Sequence, residues 1–187
     1  MRFESQNCQK CGSKDDSCLS SSRPPPPFRS SRSPARVRWA SPACSSAASP
    51  TVTCYFLGIG TGELDRSPYA GAIFETWVYG ELRKSIAASG RPRPLYLYRD
   101  QENREVDFVM DRGGRLTLFE CKLTESPSGR DAAGFDAVAA VLRKNPNLEV
   151  ERRVIVARPV EDHRLGAEAP DVVHAARLFE RLEGVAE

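Results

Sequence analysis

REVDFVMDRGGRLTLFECK, residues Arg104 to Lys122, reads as two strands joined by a tight turn. Val106, Phe108 and Met110 alternate with Glu105, Asp107 and Val109; past Asp111, Arg112, Gly113 and Gly114, the residues Leu116, Leu118, Glu120 and Lys122 share one face. A period of two interrupted by Gly-Gly is a hairpin signal. The charges fall where such strands normally carry none. Asp107 sits inside an apolar strand, and Glu120 and Lys122 close the apolar run from Leu116 to Phe119. An ionised group withdrawn from water is strongly unfavourable unless it is paired, hydrogen-bonded or bound to a metal. Two acids and a lysine on adjacent strands therefore point to a metal-dependent hydrolytic site. The competing reading makes Asp107 and Lys122 a structural ion pair, with Glu120 solvated at a strand end.

Upstream, Leu95-Tyr-Leu-Tyr predicts a short strand that turns at Asp100 to Asn103 into the hairpin. Ahead of it, Ala72 to Ala88 carries Phe74, Trp77, Val78, Leu82 and Ile86 as one apolar stripe at helical spacing. Ser67-Pro68 supplies the start and Gly90 the stop. Glu75 borders that stripe. Alone it reads as a solvent-touching edge residue, and it gains a role only if the helix packs beside the hairpin. Downstream, a second helix is predicted from about Asp131 to Lys144, with Phe135, Val138, Val141 and Leu142 inward; Asn145, Pro146 and Asn147 stop it. Val154 to Ala157 predicts a fourth strand, 160–170 a loop, and Ala175 to Leu182 a last helix with Phe179 and Leu182 packed. A helix between the third and fourth strands implies that they pair in parallel, on an otherwise antiparallel meander. The fold class is α/β: one mixed sheet flanked by helices.

The chain has 187 residues, enough for one domain of ordinary size. Its net charge of +2 conceals an asymmetry. Residues 1–50 carry eight Lys/Arg against three Asp/Glu, net +5; residues 51–187 carry nineteen against twenty-two, net −3. Any grip of the acidic part on nucleic acid must come from local patches or bound cations. The first fifty residues are rich in Ser, Pro, Arg and Ala and show no strand or helix period, so a disordered tail over 1–53 is expected, with the folded domain over 54–187. Cys8 and Cys11 have zinc-knuckle spacing, but Cys18 and Cys44 fit no common site and both histidines, His163 and His174, are far away; incidental cysteines are the preferred reading. With no apolar run of membrane length, no secretory leader and no disulfide framework, a cytoplasmic protein without a membrane partner is expected. Gly58, Gly60 and Gly62 read as a loop, since no Lys-Ser/Thr follows them. The chain should not hydrolyse ATP by itself.

The order of elements, together with Glu75, Asp107 and Glu120-Cys121-Lys122, resembles the PD-(D/E)xK superfamily, whose restriction-endonuclease-like core runs α-β-β-β-α-β. More closely, GAIFETWVYGELRK, LYLYRD, REVDFV and FECK resemble the C-terminal domain of prokaryotic AAA-type ATPases, over roughly residues 55–160. Val106 stands where the superfamily name has proline, and the ATPase half is absent. The resemblance implies a nuclease-like phosphodiester hydrolase using Mg²⁺ or Mn²⁺ on DNA or RNA, with an ATPase partner. It makes Glu75, Asp107 and Glu120 the metal ligands, with the Cys121 carbonyl as a further one. Asp107, Glu120 and Lys122 become the catalytic set, the lysine orienting the attacking water or stabilising the transition state. The alternatives are a non-catalytic docking module for protein or nucleic acid, or a truncated remnant of an ATPase-associated protein.

Overall fold

A computed structural model describes residues 36–39, 49–60, 62–91 and 93–183 of the chain. The elements in order are β1 (Arg36–Trp39), α1 (Pro50–Phe56), α2 (Ala70–Ala88), β2 (Leu95–Arg99), β3 (Glu105–Asp111), β4 (Arg115–Cys121), α3 (Ala133–Leu142), β5 (Glu149–Ala157), β6 (His163–Arg164), β7 (Asp171–His174) and α4 (Leu178–Glu183). The strands form one mixed sheet in the order β1-β2-β3-β4-β5-β7-β6. From β2 to β4 it is an antiparallel meander, and β4 pairs with β5 in parallel, as a helical crossover requires.

The β3–β4 turn depends on its glycines. Gly113 and Gly114 adopt φ of 72° and 93°, backbone that a side chain disfavours. A Cβ on Gly114 would also stand 2.5 Å from the Asn147 carbonyl oxygen, so the hairpin tip and the loop into β5 touch backbone to backbone. The Glu149 N–H donates to the Gly114 carbonyl at 2.8 Å, which starts the parallel pairing at that contact.

Two apolar clusters cover the two faces of the sheet. On one, Phe74, Val78, Leu82 and Ile86 of α2, with Leu178 and Leu182 of α4, pack on Phe108, Met110, Phe119 and Val156. On the other, Phe135 and Val138 of α3 pack on Val106, Val109, Leu118 and Ile155. Burying each such side chain contributes roughly 1.5–3 kcal/mol, so the three-layer arrangement follows from strands apolar on both faces.

The sheet departs from the sequence reading in four places. Strict alternation in β3 fails at the candidate site: Tyr96 faces Val109 while Tyr98 faces Val106, so two residues of β3, Asp107 and Phe108, stand against one of β2, Leu97. This bulge sends Val106 to the α3 side and Phe108 to the α2 side, although they are two apart. The stretch read as a loop over 160–170 contains β6, and between it and the final helix lies β7, which pairs in parallel with β5 and carries the buried Val172 and Val173. Four residues show too little alternation to be read as a strand in isolation. Helix α2 begins at Ala70 rather than beside Pro68, with the Ser67 hydroxyl accepting the Tyr69 N–H at 3.2 Å. Lastly, β1 lies within 1–53, and the boundary placed after residue 53 falls inside α1. Cys8, Cys11, Cys18 and Cys44 lie outside the described residues. No helix among the described residues is long and apolar enough to cross a membrane.

Candidate functional site

Asp107 reaches the site through the bulge. Its Oδ2 accepts the Cys121 N–H at 2.6 Å, tying β3 to the end of β4 by a side-chain bond past the last paired residues of the ladder. Burial pushes the Asp107 carboxyl up, and the Cys121 N–H and the nearby Lys122 only partly offset that. Glu120, one residue before Cys121, is largely covered, its side chain 15 % exposed. It is paired with Lys122, whose Nζ lies 2.8 Å from Oε1. Even so, the Glu120 carboxyl is held above its ordinary value, first by burial and then by Asp107 working against the lysine. Lys122 is held charged: burial lowers its pKa, and Glu120 and Asp107 more than reverse this. The ion pair of the competing reading is therefore formed by Glu120 rather than Asp107, and Glu120 is not solvated.

Glu75 belongs to the same constellation. Tyr79, one turn further along α2, packs on Phe108 with ring centroids 5.8 Å apart, which seats α2 beside the bulge. Glu75 and Asp107 line one cleft together with Glu105. Glu75 is an exposed residue, yet its carboxyl is raised, by partial desolvation first and by the Asp107 charge second. Glu105 was missed in the sequence. It adds to the negative field on Glu75, Asp107 and Glu120 alike. It stands two residues before Asp107, and strand alternation puts the two on one face, so the signal was in the sequence.

Cys121 is buried, and its thiol is pushed far up by burial and by the Asp107, Glu75 and Glu120 charges. It stays protonated and packs in the core on the α2 side. The glycine loop after α1 offers no phosphate cradle at Gly60, whose N–H is taken by Glu63 Oε2 at 3.0 Å. His174 accepts the Ala176 N–H as a helix cap.

Three carboxylates in a shared field face one ammonium. Such a donor set suits a hard divalent cation, which takes oxygen ligands and would offset the desolvation, and after it the repulsion, that raise all three pKa values. Among the described residues, no group of three His, Cys, Asp or Glu side chains is arranged to hold a metal ion as it stands.

Comparison with known proteins places this region in a family. Residues 70–176, from the start of α2 into the turn after β7, match the model of a domain of unknown function (DUF4143). The chain belongs to this family. The DUF4143 match takes in Glu75, Asp107, Glu120 and Lys122. Two uncharacterized proteins, one of Mycobacterium bovis and one of Mycobacterium tuberculosis, are each 38 % identical to it over 65 residues, 35 % of this chain. The matched stretch is 14 % of the length of either relative.

Proposed function

We propose that this DUF4143 domain is a divalent-metal-dependent phosphodiester hydrolase of restriction-endonuclease-like fold. The observation that carries the reading is the electrostatic imbalance on β3, β4 and α2. Asp107, Glu120 and Glu75 all have raised pKa values, with Lys122 held charged beside them. A scaffold gains nothing from drawing Asp107 and Glu120 out of water with Glu75 beside them, whereas functional sites characteristically hold such groups. The order α2-β2-β3-β4-α3-β5, with β5 parallel to β4, agrees with the restriction-endonuclease-like core.

Asp107 and Glu120 would hold Mg²⁺ or Mn²⁺, joined by Glu75, whose exposure lets it change rotamer at little cost. The ion supplies Lewis-acid neutralisation of a phosphate and a more acidic bound water. The chain's own residues do the rest. The Cys121 N–H fixes the Asp107 carboxylate, and Lys122 presents a permanent positive charge at the phosphate, where negative charge grows in the transition state. Tyr79 on Phe108 keeps Glu75 at the bulge. DNA or RNA is the substrate. The resemblance to C-terminal domains of AAA-type ATPases supports an ATPase as partner, and the long unmatched parts of the mycobacterial relatives leave room for such a module in those proteins.

The test is nicking of supercoiled plasmid, and cleavage of labelled single-stranded DNA and RNA, with Mg²⁺ or Mn²⁺ by the wild type, Asp107→Ala and Lys122→Ala. Cation-dependent cleavage lost in both variants supports the reading. Equal activity in all three, or none in any, rejects it.

A further inference from the structure

The cleft that holds Glu75 and Asp107 is larger than a cation needs, about 610 Å³, and its remaining walls are of a different kind. Leu97, Tyr98, Arg99 and Gln101 line it from β2 and the turn that follows. Leu97 is 40 % exposed, an apolar side chain left uncovered in the middle of a strand. The bulge places Asp107 and Phe108 opposite it, so this open apolar surface lies one strand spacing, about 4.8 Å, from the candidate metal ligand.

The charges sort themselves. Asp100, the fourth acid on the wall, is satisfied: it accepts the Glu102 and Arg104 N–H groups at 2.9 and 3.0 Å and Arg104 Nε at 2.6 Å. Arg99 is the one cationic side chain lining the cleft among the described residues. It is held loosely, 3.4 Å from Glu105 and 3.3 Å from Asn103 Oδ1, with both ion-pair partners more than half exposed. An exposed pair of this kind is worth little and exchanges readily for a better anion. The lining thus offers an apolar surface, an amide at Gln101, an available guanidinium and, beside them, the acids. These match the parts of one nucleotide: a base face, a base edge and a phosphate. The volume falls in the range of small-ligand sites. A base inside a duplex cannot enter such a cleft without unstacking and unpairing, a cost that a single strand largely avoids.

We propose that this cleft is the subsite for an unpaired nucleotide beside the scissile phosphate, so that the substrate is a single strand or a frayed end rather than continuous duplex. The proposal rests on the hydrolase reading of the acids but is tested by binding, without cleavage. Fluorescence anisotropy is measured with fluorescein-labelled single strands, DNA and RNA, and with the duplexes of the same sequence. Ca²⁺ replaces Mg²⁺ throughout, and the proteins are wild type, Leu97→Asp, Leu97→Ala and Arg99→Ala. The wild type should bind at least one kind of single strand about tenfold more tightly than its duplex. Leu97→Asp should remove that preference, Leu97→Ala should reduce it, and Arg99→Ala should weaken binding and flatten its salt dependence. Leu97 is exposed, so both of its variants should fold, which circular dichroism verifies. Equal affinity for single strand and duplex, no binding, or unchanged preference in Leu97→Asp overturns the proposal. Cation-dependent cleavage that survives such a result leaves the hydrolase reading standing; a single-strand preference without any cleavage leaves the cleft as a binding site and removes the hydrolase reading.

Discussion

Asp162 and Asp107 are both drawn largely out of water, and their surroundings treat them in opposite ways. Asp162, in the turn before β6, accepts the His174 N–H at 2.8 Å, Arg177 Nη2 and Nε at 2.8 and 3.1 Å, and Arg181 Nε at 2.9 Å. Burial alone would raise its pKa; these donors outweigh it and bring the carboxyl down to about 2. Asp107 receives the Cys121 N–H and shares one lysine with Glu120, and these do not outweigh its burial and the Glu105 charge, so its carboxyl is raised. The first arrangement is oversupplied with donors and locks the β5–β6 turn to β7 and α4. The second is short of positive charge. Acids placed for structure are satisfied by the chain; those around Asp107 are not, as the proposed cation site requires.

Breaking the second cluster should have the largest effect. Asp107→Asn keeps an acceptor for the Cys121 N–H but removes the charge, and should lower metal-dependent cleavage by about a hundredfold or more, read as initial rates of nicking. A variant that cleaves normally would place Asp107 with Asp162 as a structural acid.

Asp162→Asn should cost on the order of 1–2 kcal/mol at pH 7, measured by urea denaturation, and leave cleavage intact. Its folded pKa is depressed, so the stabilisation is present above the unfolded value near 3.8 and is lost as pH falls toward 2. The difference from wild type should therefore close across that interval. A gap that stays constant down to pH 2 would mean packing rather than charge.

Mg²⁺ or Mn²⁺ at ten times its dissociation constant should stabilise the wild type by about 1.4 kcal/mol, seen as a rise in melting temperature. The rise should vanish in Asp107→Asn and persist in Asp162→Asn. A rise that persists in Asp107→Asn would put the cation elsewhere.

The smallest effect should have the opposite sign. Without added metal, Asp107→Asn should melt slightly above wild type, by up to about 1 kcal/mol, because it removes an undercompensated charge. The raised carboxyls favour the folded state below their unfolded values and lose that contribution as pH rises through their folded values, so the gain should be larger at pH 8 than at pH 4. Destabilisation at both pH values would mean that Asp107 is satisfied after all.

Much of this was legible in the chain. The stripe of α2, the β3–β4 hairpin with its Gly113-Gly114 turn and the parallel return of β5 follow from periodicity and turn chemistry, which are local properties. Asp107, Glu120 and Lys122 stood out because charge in an apolar run is costly wherever the strand ends up. Less visible was the Asp162 hub. Arg177 and Arg181 lie four apart on one helical face, a signal that means something only once a turn fifteen residues earlier is known to lie against it.

Periodicity and the cost of stranded charge, then, are written into the order of residues, and with them the helices, the meander and the suspicion of a cation site. The tertiary structure alone decided which acids share one field. The bulge opposite Leu97 breaks the two-residue repeat at Asp107, and the seat of Tyr79 on Phe108 brings Glu75 from another element. Both depend on contacts between segments distant in sequence, where no local pattern can specify the outcome.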